Sequence, residues 1–277
     1  MSNTISASDV KKLRDQTGAG MMDCKKALAE AEGDFEKAIE ILRKKGQKLS
    51  AKRADREAKE GVVLAKISDD GKKGVVVRLS CETDFVSKNE EFVELTQSFA
   101  DIALDAFPES LDELLKQSYN GITVEEKVTE QVGVIGEKIE LADYGRIEAP
   151  AVVCYIHMGN KAGVIVGLNE DTEEAREAGR DVAMQVAAMK PIAVDKEGVD
   201  QSIIEKEIEI GKEQALQEGK PENIVEKIAM GKLNKFFKEN TLLNQQFVKD
   251  SKQTVEEYLK SVSPNLTVTD FRHIELG

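Results

Sequence analysis

One segment plan occurs twice in this chain, and that repetition constrains the fold more than any single motif. Val62-Val63-Leu64-Ala65-Lys66-Ile67 and Val75-Val76-Val77-Arg78-Leu79 are β-rich runs joined by Ser68-Asp69-Asp70-Gly71-Lys72-Lys73-Gly74, which has turn chemistry. A helical stretch follows with Phe92, Leu95, Phe99, Ile102 and Ala103 on one side, ending near Pro108. Further on, Ala151-Val152-Val153-Cys154-Tyr155-Ile156 and Val164-Ile165-Val166-Gly167-Leu168 flank a turn over residues 158–163. Again a helix follows, with Val182, Ala183, Val186 and Ala187 on one face, and it stops at Pro191. Two β-hairpin-plus-helix copies are too few for a solenoid, so they predict a paired, duplicated α+β core. The first half is expected over residues 61–149 and the second over 150–199 and 240–277.

The flanking segments follow other patterns. Residues 1–46 read as three short helices. Ser6 and Asp9 have capping-box-like spacing ahead of Val10 and Leu13. Cys24, Ala27, Leu28 and Ala31 share one helical face, Gly33 stops that helix, and Asp34 can cap the next. Phe35, Ala38, Ile39 and Leu42 repeat the spacing, and Gly46 is read as the end of the unit. Helices this short bury little surface, so this is expected to be a mini-domain that also docks on a partner. Residues 47–60 are charged and read as a solvated, helical linker or a basic docking site. Residues 200–239 carry apolar stripes through Ile204, Ile208, Gly211 and Ala215, then Ile224, Ile228 and Leu233, around the turn Gly219-Lys220-Pro221. They predict a helical hairpin, either a projecting coiled coil or an ordinary packed pair. Residues 254–262 read as helical, and Leu266, Val268, Ile274 and Leu276 as a closing strand.

Composition narrows the function classes. Trp is absent and aromatics make up only 5%, so the core must be aliphatic. The formal net charge is -13, which argues against a direct nucleic-acid binder, whose basic surface displaces counterions. Cys24, Cys81 and Cys154 are scattered and odd in number, so neither a disulfide framework nor a zinc site is indicated. The N-terminus lacks an apolar signal segment and no run approaches the ~18 apolar residues of a membrane helix, so a cytoplasmic, membrane-free protein is expected.

No catalytic set emerges. His157 and His273 stand alone, outside metal or nucleophile motifs. Gly18-Ala19-Gly20 precedes a helix but lacks the preceding strand, the third glycine and the lysine of a phosphate loop. Neither cofactor nor metal is expected. One segment stands out: residues 81–89, Cys-Glu-Thr-Asp-Phe-Val-Ser-Lys-Asn, lie between a strand and a helix, where function often resides. Locally, Thr83 or Asp84 could cap the next helix and Phe85 could staple beneath it. Thr269-Asp270-Phe271 repeats the tripeptide, and composition does not separate the copies.

Leu13-Arg14, Thr17-Gly18-Ala19-Gly20-Met21-Met22-Asp23-Cys24-Lys25-Lys26-Ala27-Leu28 resembles the N-terminal signature of the elongation factor Ts family. Thr83-Asp84-Phe85-Val86 resembles that family's second hallmark. Further similarity runs through residues 187–191, Gly219-Lys220-Pro221 and Gln246-Phe247-Val248, so it covers essentially the whole chain. The resemblance implies a three-helix ubiquitin-associated-like domain, a duplicated core and a protruding coiled coil. It implies guanine-nucleotide exchange on elongation factor Tu without covalent catalysis. Arg14, Met21, Met22 and Lys25 would touch the partner's G domain. Thr83, Asp84, Phe85 and Val86 would enter near its magnesium site and help displace the ion. His157, Phe247 and Val248 would contact another partner domain. Some members continue with a C-terminal helical module, and its lack would shift affinity toward the coiled coil and N-terminal domain.

Overall fold

In a computed structural model of the chain, residues 5–277 are described; residues 1–4, where the reading of the N-terminus begins, lie outside them. Three helices come first: α1 Ala7–Thr17, α2 Met21–Glu30 and α3 Phe35–Arg53. Strands β1 Glu60–Ile67 and β2 Lys73–Cys81 follow, then the single turn α4 Asp84–Ser87 and helix α5 Glu90–Ala106. Next come α6 Leu111–Leu115, β3 Ser118–Tyr119, β4 Ile122–Thr123, α7 Val124–Ile135 and β5 Glu140–Glu148. The second copy opens with β6 Ala151–His157, β7 Ala162–Leu168 and α8 Glu173–Met189. Helices α9 Gln201–Gln217 and α10 Glu222–Asn240 precede β8 Gln246–Phe247, β9 Asp250–Thr254, α11 Val255–Val262 and β10 Val268–Glu275. The class is α+β.

The duplication runs deeper than the hairpin and its helix. In both copies a small hairpin follows, β3–β4 or β8–β9. Each leads directly into a helix that starts with a capping box, Thr123 with Glu126 on α7 and Thr254 with Glu257 on α11. Each copy then ends in a strand that lies beside the second strand of its first hairpin, giving sheets ordered β1-β2-β5 and β10-β7-β6. In β6–β7 the pairing is antiparallel from Ala151 opposite Leu168 to His157 opposite Ala162. The α9–α10 hairpin is an insertion in the second copy only. In the first copy the sequence reading stops at α5 and misses α7 and β5, of twelve and nine residues, while the small hairpin between has only two residues per strand around Asn120-Gly121. Both turn residues have positive φ, 49° and 89°, as a tight hairpin turn requires.

By compactness the chain forms two units. One holds the residues up to Leu64 with Val77–Gly145 and Ile274–Gly277; the other holds Ala65–Val76 and Arg146–His273. In the first, α1 begins with the Ser6–Asp9 capping box, and Asp34 caps α3 by accepting the Lys37 N–H at 3.1 Å. Val10, Leu13, Cys24, Ala27, Leu28 and Ala38 form the small helical core. Gly46 does not end the third helix, contrary to the sequence reading; α3 continues to Arg53. The reason is packing. A Cβ on Gly46 would sit 2.9 Å from the Thr129 carbonyl oxygen of α7, and one on Gly133 would sit 3.1 Å from Gly46 Cα. The glycines let two helix backbones touch. Gly46→Val is therefore expected to lower stability by about 2 kcal/mol by overpacking this crossing. An unchanged urea midpoint would contradict that packing account.

In the second unit, α8 packs on β6 and β7 over Val153, Val164, Val166, Val182, Val186, Leu259 and Leu266, an aliphatic core as the composition demands. Gly219, at φ 72°, turns α9 into α10 ahead of Pro221. Gly211 again permits a close crossing: its Cβ would lie 3.1 Å from Ala229 Cα.

Candidate functional site

The loop after β2 is held by two carboxylates, Glu137 gripping the backbone at residues 82 and 83 and Glu82 gripping it at 138. Glu137, just beyond the left-handed cap Gly136 of α7, accepts the N–H groups of Glu82 at 3.1 Å and Thr83 at 3.0 Å, and the Thr83 hydroxyl at 2.6 Å. In return Glu82 accepts the Lys138 N–H at 2.6 Å, with Arg53 at 2.8 Å and Arg56 at 2.9 Å on its two oxygens. Desolvation alone would raise the Glu82 pKa. The Lys138 N–H and the guanidiniums of Arg56 and Arg53 outweigh it and hold the carboxyl below its ordinary value. So Arg53 and Arg56, from the charged stretch read as linker or docking site, here anchor a loop. Cys81 donates to the Thr83 carbonyl at 3.2 Å, and its thiol is pushed up to about 12 by burial, then by Glu137 and Glu60. It is an inert structural thiol.

The lowered Glu82 value has a pH consequence. A group whose folded pKa lies below its unfolded one stabilises the fold above the unfolded value, here near 4.5, and loses that contribution as pH falls through the folded value. Wild-type stability is thus expected to drop more than that of Glu82→Gln between about pH 6 and about pH 3. Urea titrations at both pH values check this; parallel losses would contradict it.

This grip sets up α4. Thr83 stands at its N-cap position but makes no side-chain cap bond, because its hydroxyl is committed to Glu137. No α4 residue is buried, and Phe85 is 85% exposed. The staple reading of Phe85 therefore fails: α4 is one turn long, and α5 starts afresh at Asn89, whose side chain accepts the Glu91 N–H at 2.9 Å. Asp84 pairs with Lys88 at 2.6 Å, raising the lysine's pKa through that bond and its charge. Val86 is half-buried. The second Thr-Asp-Phe lies in β10, where Phe271 packs against the second unit's core. Structure thus separates two tripeptides that composition leaves alike.

Arg14, Met21, Met22 and Lys25 are all exposed around the α1–α2 turn, with Met21 and Met22 at the start of α2. His157 ends β6, half-buried, with its Nδ1 2.9 Å from the Tyr155 hydroxyl. Phe247 and Val248 part company. Phe247 is buried and stacks on Tyr258 at 4.1 Å between centroids. Val248 is exposed while its N–H donates to Gln185 at 2.8 Å. Glu82 and Glu137 escape sequence reasoning. Gly136 signals a helix end, but nothing local pairs position 137 with position 83.

Among the described residues no group of three or more His, Cys, Asp or Glu is placed to hold a metal ion, and no helix is long and apolar enough to cross a membrane. The candidate segment presents an exposed aromatic, Phe85, just after a hydrogen-bonded loop. Known proteins are similar to this chain in sequence. A family model described as "Elongation factor TS" matches residues 82–277. Proteins named elongation factor Ts from Christiangramia forsetii, Flavobacterium psychrophilum and Amoebophilus asiaticus are 55%, 52% and 51% identical, each across 99% of both chains. At that identity and coverage, the chain belongs to the elongation factor Ts family, a family of translation elongation factors.

Proposed function

We propose that this protein binds elongation factor Tu and accelerates its exchange of GDP for GTP, without any covalent step. The observation that carries the reading is Phe85, the large apolar side chain left most exposed among the described residues, on a single helical turn whose approach is clamped. One exposed apolar side chain is ordinary on a monomer, but an aromatic at a strand-to-helix junction is also the kind of side chain that anchors an interface. Asp84 beside it supplies a carboxylate. Inserted near the partner's magnesium ion, Phe85 pries packed elements apart, and Asp84 disturbs the ion's ligands and waters, with Thr83 and Val86 shaping the turn. GDP held through the ion and through backbone donors at its phosphates is thereby loosened. Arg14, Met21, Met22 and Lys25 form a separate contact on the G domain, and His157 and Val248 contacts elsewhere on the partner. Phe247 supports the Val248 segment from beneath.

Stopped-flow release of a fluorescent GDP analogue from elongation factor Tu tests the reading. Substoichiometric amounts of this protein are expected to accelerate release. Release at the spontaneous rate with the complex formed would identify a scaffold instead.

A further inference from the structure

We propose that Glu137 is a positioning residue for nucleotide exchange: its carboxylate fixes the loop that aims Phe85. The inference rests on the exchange reading above and extends it to a residue remote in sequence.

A helix of one turn has no stability of its own, since nucleation costs more than its few hydrogen bonds return. No side chain of α4 is fully buried and Val86 is half-buried, so packing seats it only weakly. Its direction then depends on how the chain enters it and on the short junction by which it leaves into α5. That approach is set by three donors converging on one carboxylate: two successive N–H groups on one oxygen and the Thr83 hydroxyl on the other. Two adjacent amides aimed at one oxygen fix the peptide plane between Glu82 and Thr83, and the hydroxyl fixes the rotation that follows. Charge-assisted bonds of this kind are stronger than neutral ones.

Glu137 is itself anchored. It follows the last turn of α7, and the next residue, Lys138, returns its N–H to Glu82. Glu82 in turn carries Arg53 from the end of α3. Helix α3 packs on α7 through Gly46 and Gly133. The aim of Phe85 is therefore referred to α3 and α7, the frame on which the exposed α1–α2 turn is also built.

The test uses the full chain and the fluorescent-GDP assay, run over a range of factor concentrations. Glu137→Ala is expected to lower the limiting rate about tenfold, as a displaced reacting geometry does, and to move the half-saturating concentration far less. Glu137→Gln keeps a carbonyl acceptor for the two N–H groups, and the Thr83 hydroxyl can turn to accept from its amide, so it is expected to retain most of the rate. Thr83→Val removes one donor and should fall between them. In a Phe85→Ala background, Glu137→Ala is expected to add nothing, because the group it aims is gone. An equal fold-loss in both backgrounds would mean a general structural role and overturn the proposal. So would wild-type rates for both Glu137→Ala and Thr83→Val beside a slow Phe85→Ala. If Glu137→Ala fails to fold, Thr83→Val decides: a reduced rate supports the proposal and a wild-type rate overturns it. A Phe85→Ala protein that exchanges at the wild-type rate would remove the role given to Phe85, and this proposal with it, while leaving exchange itself standing.

Discussion

Phe85→Ala is expected to lower the limiting rate of GDP release about 10- to 100-fold and to leave the thermal midpoint where it was. The first part follows from what burying a phenylalanine is worth, about 1.5–3 kcal/mol, when that burial happens only in the nucleotide-displacing complex. At 1.4 kcal/mol per tenfold, this gives the stated range. The second part follows from exposure. A side chain 85% exposed, on a turn with no buried residue, contributes almost nothing to the free fold. A change in rate without a change in stability separates a contact residue from a core residue. A rate loss accompanied by a large fall in the midpoint would contradict the assignment.

Phe247→Ala has the opposite signature. It is expected to destabilise the second unit by about 3–4 kcal/mol, because it removes a buried ring and leaves a cavity. The ring is 3% exposed, stacked on Tyr258, and belongs to the core formed with Val255, Leu259 and Leu266. Tyr258 is tied to Asp181 at 2.9 Å, so it cannot readily collapse into the space. Val248→Ala, one position along, is expected to keep the urea midpoint and weaken the complex. Equal midpoints for both variants would contradict this division of roles.

Much of the fold is legible in the sequence, and the reason is local. The strands of the duplicated plan are continuous β-rich runs, its helices carry a helical repeat, and the start signals of α1 and α3 lie within a few residues of the helices they begin. What escapes reading is non-local. Gly46 has the sequence appearance of a stop, yet its role depends on a helix that approaches from residues 129–133. Phe85 and Phe271 sit in identical tripeptides, and only tertiary placement leaves one in solvent and the other against a core. The same holds for Glu137, which acts on residues 54 and 55 positions earlier. The candidate site stands out only through its junction position and its resemblance to a family motif, and its mounting is not legible at all, because charge-assisted bonds across that distance leave no periodic trace.

The central claim is that this protein exchanges its own binding against that of GDP. Linkage makes the claim quantitative: the factor by which the protein weakens GDP binding must equal the factor by which GDP weakens binding of the protein. Titrating elongation factor Tu with this protein, with and without saturating GDP, measures it most directly. The account predicts much weaker binding in the presence of GDP, by the same factor that the protein imposes on GDP affinity. Equal affinity in both titrations would contradict it and leave a scaffold that binds without exchange.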